Sequence, residues 1–372
     1  MKYVTIFYFI ILCFVQLAAQ SGQSSQPVNF GTIPGYVTLK CDFHQHTVFS
    51  DGSVWPNIRV QEALRESLDA IAITDHLEYQ PHKKDIPNKD RNRSSDLAAE
   101  YAEDSDLIII KGAEITRDLP PGHLNAIFLT DINALLLDDP VRVLNTAKQQ
   151  NAFIFWNHPH WTSQKPDGIA ELTQMHKMLI KEKLINGIEI VNEDTYSDEA
   201  LQIALDNDLT LIGSSDIHGI AEWQFDYRTG GYRPLTLVFA EEKSKAALKQ
   251  GLISGRTVVW FKGSLIGKSD YIIPLIRNAL RVKKAYYIKN TSVARVELEN
   301  RTDVTYIIQN ISTYNLHNKT DIVNIMPRYT TTLEIKTVRK LDTFEVRFEV
   351  LNALVAPRAH PEISITVDIS AP

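Results

Sequence analysis

Cysteine is almost missing from this chain, with only Cys13 and Cys41 among 372 residues. Cys13 lies in an apolar N-terminal stretch that reads as removable, which leaves Cys41 alone. One thiol cannot close an intrachain disulfide, so a buried core must hold the fold. Long apolar runs are also scarce. Val4–Leu17 is one, and it is too short for a comfortable membrane span; no later stretch is long and apolar enough to cross a bilayer. Excess positive charge is the third absence. The net charge is −6, and the sequence carries no basic footprint. That argues against nucleic acid as the main partner. There is no internal repeat and no low-complexity tract.

What is present begins with Lys2, the apolar Val4–Leu17 and the small residues Ala18 and Ala19, the layout of a signal peptide over residues 1–20. Export to the periplasm or the medium is the expectation. Residues 21–36 read as a linker. From Val37 to about residue 265 a pattern repeats: a short β-rich apolar run, a polar end, then a helix-like stretch. The runs include "YVTLKCDFHQH", "LDAIAITDH", "DLIIIKGAEIT", "AFIFWNHPH", "GIEIVN" and "LTLIGSSDIH". Between them, "NIRVQEALRESL" has a near-3.6 apolar period, "SSDLAAEYAE" offers Ser94 or Ser95 as a cap, and "DDPVRVLNTAKQQ" places Pro140 at a helix start. Strands alternating with helices predict a parallel sheet, and seven or eight such units favour a barrel. After about residue 266 the pattern becomes "VARVELEN", "YTTTLEIKT" and "FEVRFEVLNAL". Their two-residue alternation predicts a smaller antiparallel β domain over 266–372. Of the 11 histidines only His317 and His360 fall there, so it is read as an accessory.

The chemistry concentrates at the ends of the predicted strands. In "KCDFHQHTVFSDG" His44 and His46 are two residues apart, so on a strand both point to one face. Asp51 follows beside Gly52, where the chain can turn sharply. His76 ends "ITDH", Glu114 stands in "GAEIT", His158 and His160 in "NHPH", and Asp216 and His218 share a face in "SSDIH". His123 is the exception in position, since it precedes its apolar run "LNAIFL". One histidine at a strand end means little. The same residue types at the same end of most strands mean more, because burying so many ionisable groups is costly unless cations or pairing compensate. A metal centre is the prediction. All candidate ligands offer nitrogen or oxygen, which fits Mn, Zn or Fe. Cys41 should face away from His44 and pack in the core.

Taken in order, "DFHQHTVFSDG", "LDAIAITDH", "GAEIT", "HLNAI", "NHP" and "SSDIH" resemble the motifs of the PHP (polymerase and histidinol phosphatase) superfamily over roughly Val37–Gly263. The stretch "DHLEYQPHKKDIPNKDRNRS" resembles its secreted phosphodiesterase branch, which includes organophosphate-diester hydrolases. The resemblance implies a distorted (β/α)7 barrel with two or three divalent metal ions. Carried over by motif, it assigns His44, His46, Glu114 and Asp216 to one metal and Glu114, His123 and His158 to a second. Asp51, His76 and His218 would hold a third, with Asp51 standing where many members have histidine. His160 is the rival of His123. The implied reaction is hydrolysis of a small-molecule phosphate diester by a metal-bridging hydroxide, with His44, His46, Glu114 and Asp216 acting catalytically through the metals. Such a centre must remove on the order of 20 kcal/mol from the barrier. Alternatives are a phosphomonoesterase of the histidinol-phosphate type and a hydrolase of a non-phosphate substrate. Tyr79, His82, Arg93 and His160 are the expected substrate contacts. Trp161 and Trp223 follow ligand-bearing segments and read chiefly as packing residues. The oligomeric state is not legible in the sequence.

Overall fold

The computed structural model describes residues 28–227 and 231–370. The expected signal peptide lies outside them, as does the linker as far as residue 27. The first region runs β1 (Val37–Asp42), α1 (Pro56–Arg65), β2 (Ala70–Ile73), α2 (Arg93–Tyr101), β3 (Ile108–Ile115), β4 (Leu124–Ile127), α3 (Pro140–Gln149) and β5 (Phe153–Trp156). It continues through α4 (Gln174–Lys181), β6 (Gly187–Asn192), β7 (Thr195–Tyr196), α5 (Asp198–Asp206), β8 (Thr210–Ser214), α6 (Ala221–Phe225) and β9 (Leu235–Ala240). It ends with α7 (Lys245–Ile253), β10 (Thr257–Phe261), β11 (Ser264–Gly267) and α8 (Ser269–Ala279). Strands such as β2 (AIAI) and β5 (FIFW) are buried at every position, which is why they are continuously apolar.

These strands form one curled twelve-stranded sheet, including β19 (Ala353–Leu354) from the C-terminal region. The path is β19-β11-β10-β9-β1-β2-β3-β4-β5-β6-β7, with β8 joined to β6 in parallel. A side chain closes the curl between β8 and β9. Thr236 Oγ1 accepts from Gly213 N at 3.0 Å and donates to Gly213 O at 2.8 Å. Glycine suits that approach: a Cβ at 213 would lie 2.3 Å from Val259 Cγ1.

The sheet is mixed rather than parallel throughout. β1, β2 and β3 run parallel, and so do β5, β6 and β8. β4 is antiparallel to both β3 and β5, and β9 to β1 and β10. Residues 116–123 between β3 and β4 are fewer than the dozen or more a parallel crossover needs, so the chain turns straight back. The start of β4 therefore sits at the end where β3 finishes. This explains the position of His123.

Helix starts follow local chemistry. Asp139 caps α3 by accepting from Arg142 N at 2.7 Å, and Ser197 caps α5 by accepting from Ala200 N at 3.1 Å. In α2 neither Ser94 nor Ser95 caps; both are buried inside the first turn and Asn92 holds the cap position. The Asn92 side chain is engaged instead with Asp131 and with Ile132 N, each at 2.9 Å.

The C-terminal region contains β12 (Leu280–Tyr287), β13 (Val293–Asn300), β14 (Tyr306–Asn310), β15 (Asn315–Leu316), β16 (Ile322–Ile325), β17 (Thr330–Lys336), β18 (Thr343–Val350) and β20 (Glu362–Asp368). They make two four-stranded sheets, β12-β13-β17-β15 and β16-β14-β18-β20, all of whose pairings are antiparallel. β13 and β18 alternate buried and solvent-facing residues, as a sandwich requires. Cys41 is buried among Leu39, Phe43 and Ala70.

Candidate metal centre

His44 and His46 follow β1 on either side of Gln45, which bridges to Ile217. That extended link aims both rings the same way. Glu114 stands near the end of β3, and Asp216 follows β8 with φ +47°. The Nε2 atoms of His44 and His46 lie 3.4 and 3.3 Å from Glu114 Oε2, and 3.1 and 3.0 Å from Asp216 Oδ1. All four atoms are buried, and none has a hydrogen-bond partner. Leaving such atoms unsatisfied is expensive. Ligands at about 2.0–2.1 Å around a tetrahedral cation stand roughly 3.4 Å from one another. The observed spacing matches that figure, so the donor set fits a divalent cation.

Two further groups flank this one. Glu114 Oε1 lies 2.9 Å from His123 Nδ1 and 3.3 Å from His158 Nε2. On the other side, Asp51 Oδ2 lies 3.3 Å from both His76 Nε2 and His218 Nε2. Gly52 lets this loop return tightly, because a Cβ there would fall 2.7 Å from the backbone of His46 and Thr47. The structure thus brings together every residue in the three groups expected from sequence. His123, not His160, reaches Glu114; His160 Nε2 pairs with Thr195 Oγ1 at 2.8 Å.

Four of the rings are also held at Nδ1. His44 Nδ1 bonds Glu189 Oε1 at 2.8 Å, His76 Nδ1 bonds Thr116 Oγ1 at 2.7 Å, and His218 Nδ1 bonds the Asp216 carbonyl at 2.7 Å. His46 Nδ1 is 3.3 Å from Ser50 Oγ. These contacts leave Nε2 of His44, His46 and His218 facing the cluster, whereas His76 presents both nitrogens to it, Nδ1 lying 2.9 Å from Glu114 Oε2 and Nε2 3.3 Å from Asp51 Oδ2. Glu189, in the middle of β6, also accepts from His158 N at 2.7 Å, from Asn192 Nδ2 at 2.9 Å and from Ser214 Oγ. The bond to His158 N secures a residue held at φ +26°. Arg59 is fully buried and donates to the carbonyls of His46, Ile217 and Gly219 at 2.9, 3.0 and 2.7 Å. It ties the His46 segment to the Asp216–His218 segment.

The charges are strongly coupled. Burial alone would lower the His44 and His76 rings, but Asp216, Glu189 and Glu114 raise His44, while Glu114 and Asp51 push His76 up to about 11. Asp51 and Asp216 similarly overcome burial at His218 and raise it to about 9. For His46, burial and the neighbouring His218 win, and it falls to about 4. Burial would raise the carboxyls of Glu114 and Asp216, yet the surrounding imidazoles hold both well below their usual range. The protein alone therefore holds a charge-alternating nest of imidazoles and carboxylates.

A two-domain protein from Bacteroides vulgatus, containing a predicted PHP-like metal-dependent phosphoesterase, is 39% identical and superposes with a TM-score of 0.86 over 92% of this chain and 98% of its own. The chain belongs to the PHP superfamily. In this PHP protein residues 280–366 match DUF5001, an Ig-like domain. An uncharacterised protein of Methanocaldococcus jannaschii is 39% identical over 83 residues. That match spans 22% of this chain and 36% of the curated relative. A structure from Bifidobacterium adolescentis, assigned to the metal-dependent phosphoesterases, is 17% identical over 48% of this chain and 87% of its own, with a TM-score of 0.39.

The expected substrate contacts of this PHP domain are more dispersed than the three His/carboxylate groups. Tyr79 is exposed, with its ring centre 5.7 Å from that of His76. His82 is half-buried in the following loop, and Arg93 is exposed on the first turn of α2. The supporting residues Glu189 and Arg59 were not singled out from sequence. Glu189 carried one signal, a lone carboxylate inside the apolar run "GIEIVN". Arg59 carried none, since a cation on a helix reads as solvated.

Proposed function

We propose that this PHP protein hydrolyses small-molecule phosphate diesters with two or three divalent cations. The observation that carries this reading is the set of four buried, unbonded atoms at ligand spacing on His44, His46, Glu114 and Asp216. Glu114 would share a second cation with His123 and His158, and Asp51, His76 and His218 would hold a third. Bound there, Mn, Zn or Fe ions would polarise the phosphoryl oxygens and make water a nucleophile near neutral pH. The chain's own contribution is positioning. Glu189 holds the His44 proton on Nδ1, and Asn192 Nδ2 steadies Asp216 Oδ2 at 3.2 Å. Tyr79, His82, Arg93 and His160 are proposed to shape the substrate side.

Charge balance supports a diester over a monoester. Arg117 is paired with Glu78 at 2.8 Å, Lys165 with Asp167 and Glu171, and Arg91 is directed at the carbonyls of Leu77 and Asn88. These three cations are already engaged, which leaves Arg93 as the arginine proposed for the substrate side, and so limited a positive charge suits a monoanionic diester better than a dianion. The test is elemental analysis of the purified protein followed by parallel assays on aryl phosphate mono- and diesters. Faster turnover of diesters, abolished by chelation and restored by metal, is expected. Chelation without effect would sink the metal reading, and preference for monoesters would sink the diester. Export is proposed from Lys2 and the apolar Val4–Leu17; retention of the full chain in the cytoplasm would contradict it.

A further inference from the structure

Every exposed tryptophan of this protein stands just after a segment that bears the cluster. Trp55, Trp161 and Trp223 are 51%, 43% and 79% exposed, whereas Trp156 is buried. They follow Asp51, His158 and His218 in sequence. Trp161 approaches most closely, with its ring centre 5.2 Å from His158 and 5.5 Å from His123. Tyr79 rims the opposite group, 5.7 Å from His76. Among the described residues no lysine or arginine lies over the ring of Trp161 or Tyr79; the cation–ring contacts fall on Phe128, Tyr36, Phe261, Tyr286 and Tyr287.

The indole of Trp161 is not needed to shape its own turn. The backbone does that: Trp161 N donates to His158 O at 2.8 Å, and Trp161 O accepts from Gln164 N at 3.0 Å and Lys165 N at 2.8 Å. What the side chain adds is an apolar ring that packs on His123 and His158 and is still 43% exposed beside those buried imidazoles. The exposed part of an indole is suited to stack on another flat ring and gains both apolar burial and ring-on-ring attraction by doing so.

We propose that Trp161 is a specificity-determining platform on which a flat ring of the substrate stacks. The substrate class is then phosphate diesters with an aromatic or pyranose ring on one ester arm. This inference rests on the phosphodiester reading and narrows it. It assigns Trp161 no part in the chemical step, so its loss should weaken binding and leave kcat in place.

The experiment uses the metal-loaded full chain and three diesters with a common ethyl arm: diethyl phosphate, ethyl phenyl phosphate and ethyl glucopyranosyl phosphate. Affinity is read by titration calorimetry, independently of turnover, and KM and kcat are read where hydrolysis occurs. Trp161→Ala should weaken a ring-bearing diester about tenfold, equivalent to ~1.4 kcal/mol. Diethyl phosphate affinity, metal stoichiometry and kcat should stay within about twofold, and Trp161→Phe should recover most of the loss. Loss confined to the phenyl arm identifies an aromatic ring, and loss on both arms a ring of either kind. Equal loss for all three diesters, or departure of metal from Trp161→Ala, overturns the proposal, because Trp161 then only packs on His123 and His158. Unchanged ring binding in Trp161→Ala, or no binding of ring-bearing diesters at all, overturns it too. If diesters bind without being hydrolysed, the reaction reading fails while the calorimetric contrast still decides the stacking.

Discussion

A carboxylate buried in an apolar strand is stable only if its oxygens are fully used. Glu189 meets that condition by joining His44, His158, Asn192 and Ser214 behind the cluster. Glu189→Gln keeps the shape and removes the charge that favours a proton on His44 Nδ1. It should lower metal affinity at the His44 group about tenfold with little change in melting temperature, as metal titration and thermal unfolding would show. Unaltered affinity would mean that Glu189 serves the fold alone. The paired imidazoles make a second prediction. Carboxylates outweigh burial and lift His218 to about 9 and His76 to about 11 in the metal-free protein. A histidine in the unfolded chain titrates near ~6.5. The stabilisation is therefore complete below that pH and drains as pH rises through 9 towards 11. Cations need the same rings deprotonated, so they compete with protons. From pH 7 to 9 the chelated protein should melt at progressively lower temperature, while metal affinity of the Asp51–His76–His218 group should rise. Calorimetry on both forms checks this, and slopes of the same sign would contradict it. The clustering of these histidines and carboxylates was legible because they ended successive apolar runs. Glu189 and Arg59 were not, because their roles depend on which distant backbone and ring atoms the fold sets beside them.

At the level of elements, alternation of strand and helix revealed the barrel but not the direction of every strand. Direction depends on the length of each connection, and the short 116–123 link turns β4 back on β3. His123 consequently opens onto the same mouth as His44 and Glu114, even though it precedes its strand. Local chemistry marked the start of α3 at Pro140. It misled at Ser94 and Ser95, where tertiary contacts of Asn92 set the boundary. Closure at β8 was invisible in sequence, because it depends on Gly213, Thr236 and Val259 meeting across the sheet. Gly213→Ala places a methyl 2.3 Å from Val259 Cγ1. The stiff, branched valine cannot yield cheaply. The substitution should destabilise the protein by about 1–3 kcal/mol, the usual range for overpacking. Val259→Ala should cost less in the Gly213→Ala background than alone. Urea unfolding of the two single variants and the double variant measures that coupling. Strict additivity would remove the contact as the cause.

Across the whole molecule, two-residue alternation made the C-terminal sandwich legible, whereas its attachment to the barrel was not. The attachment is extensive. β19 pairs in parallel with β11, and Asn352 Nδ2 donates to Gly263 O at 3.0 Å and Thr305 O at 2.7 Å. One apolar cluster contains Phe30, Leu237, Phe239 and Ile276 together with Val296, Tyr306, Phe348 and Val367. A chain divided at the composition change would therefore expose core from both parts. Burial of that shared surface couples the two regions, since neither can unfold without uncovering the other. The full chain should unfold in a single transition with the calorimetric enthalpy close to the van't Hoff value. A chain ending at residue 279 should lose that transition and expose apolar surface that a fluorescent hydrophobic dye detects. Two separate transitions, with a barrel that stays folded and metal-competent after truncation, would show that the Ig-like region is only tethered. A single transition would make it part of the scaffold that holds β11 in the curled sheet.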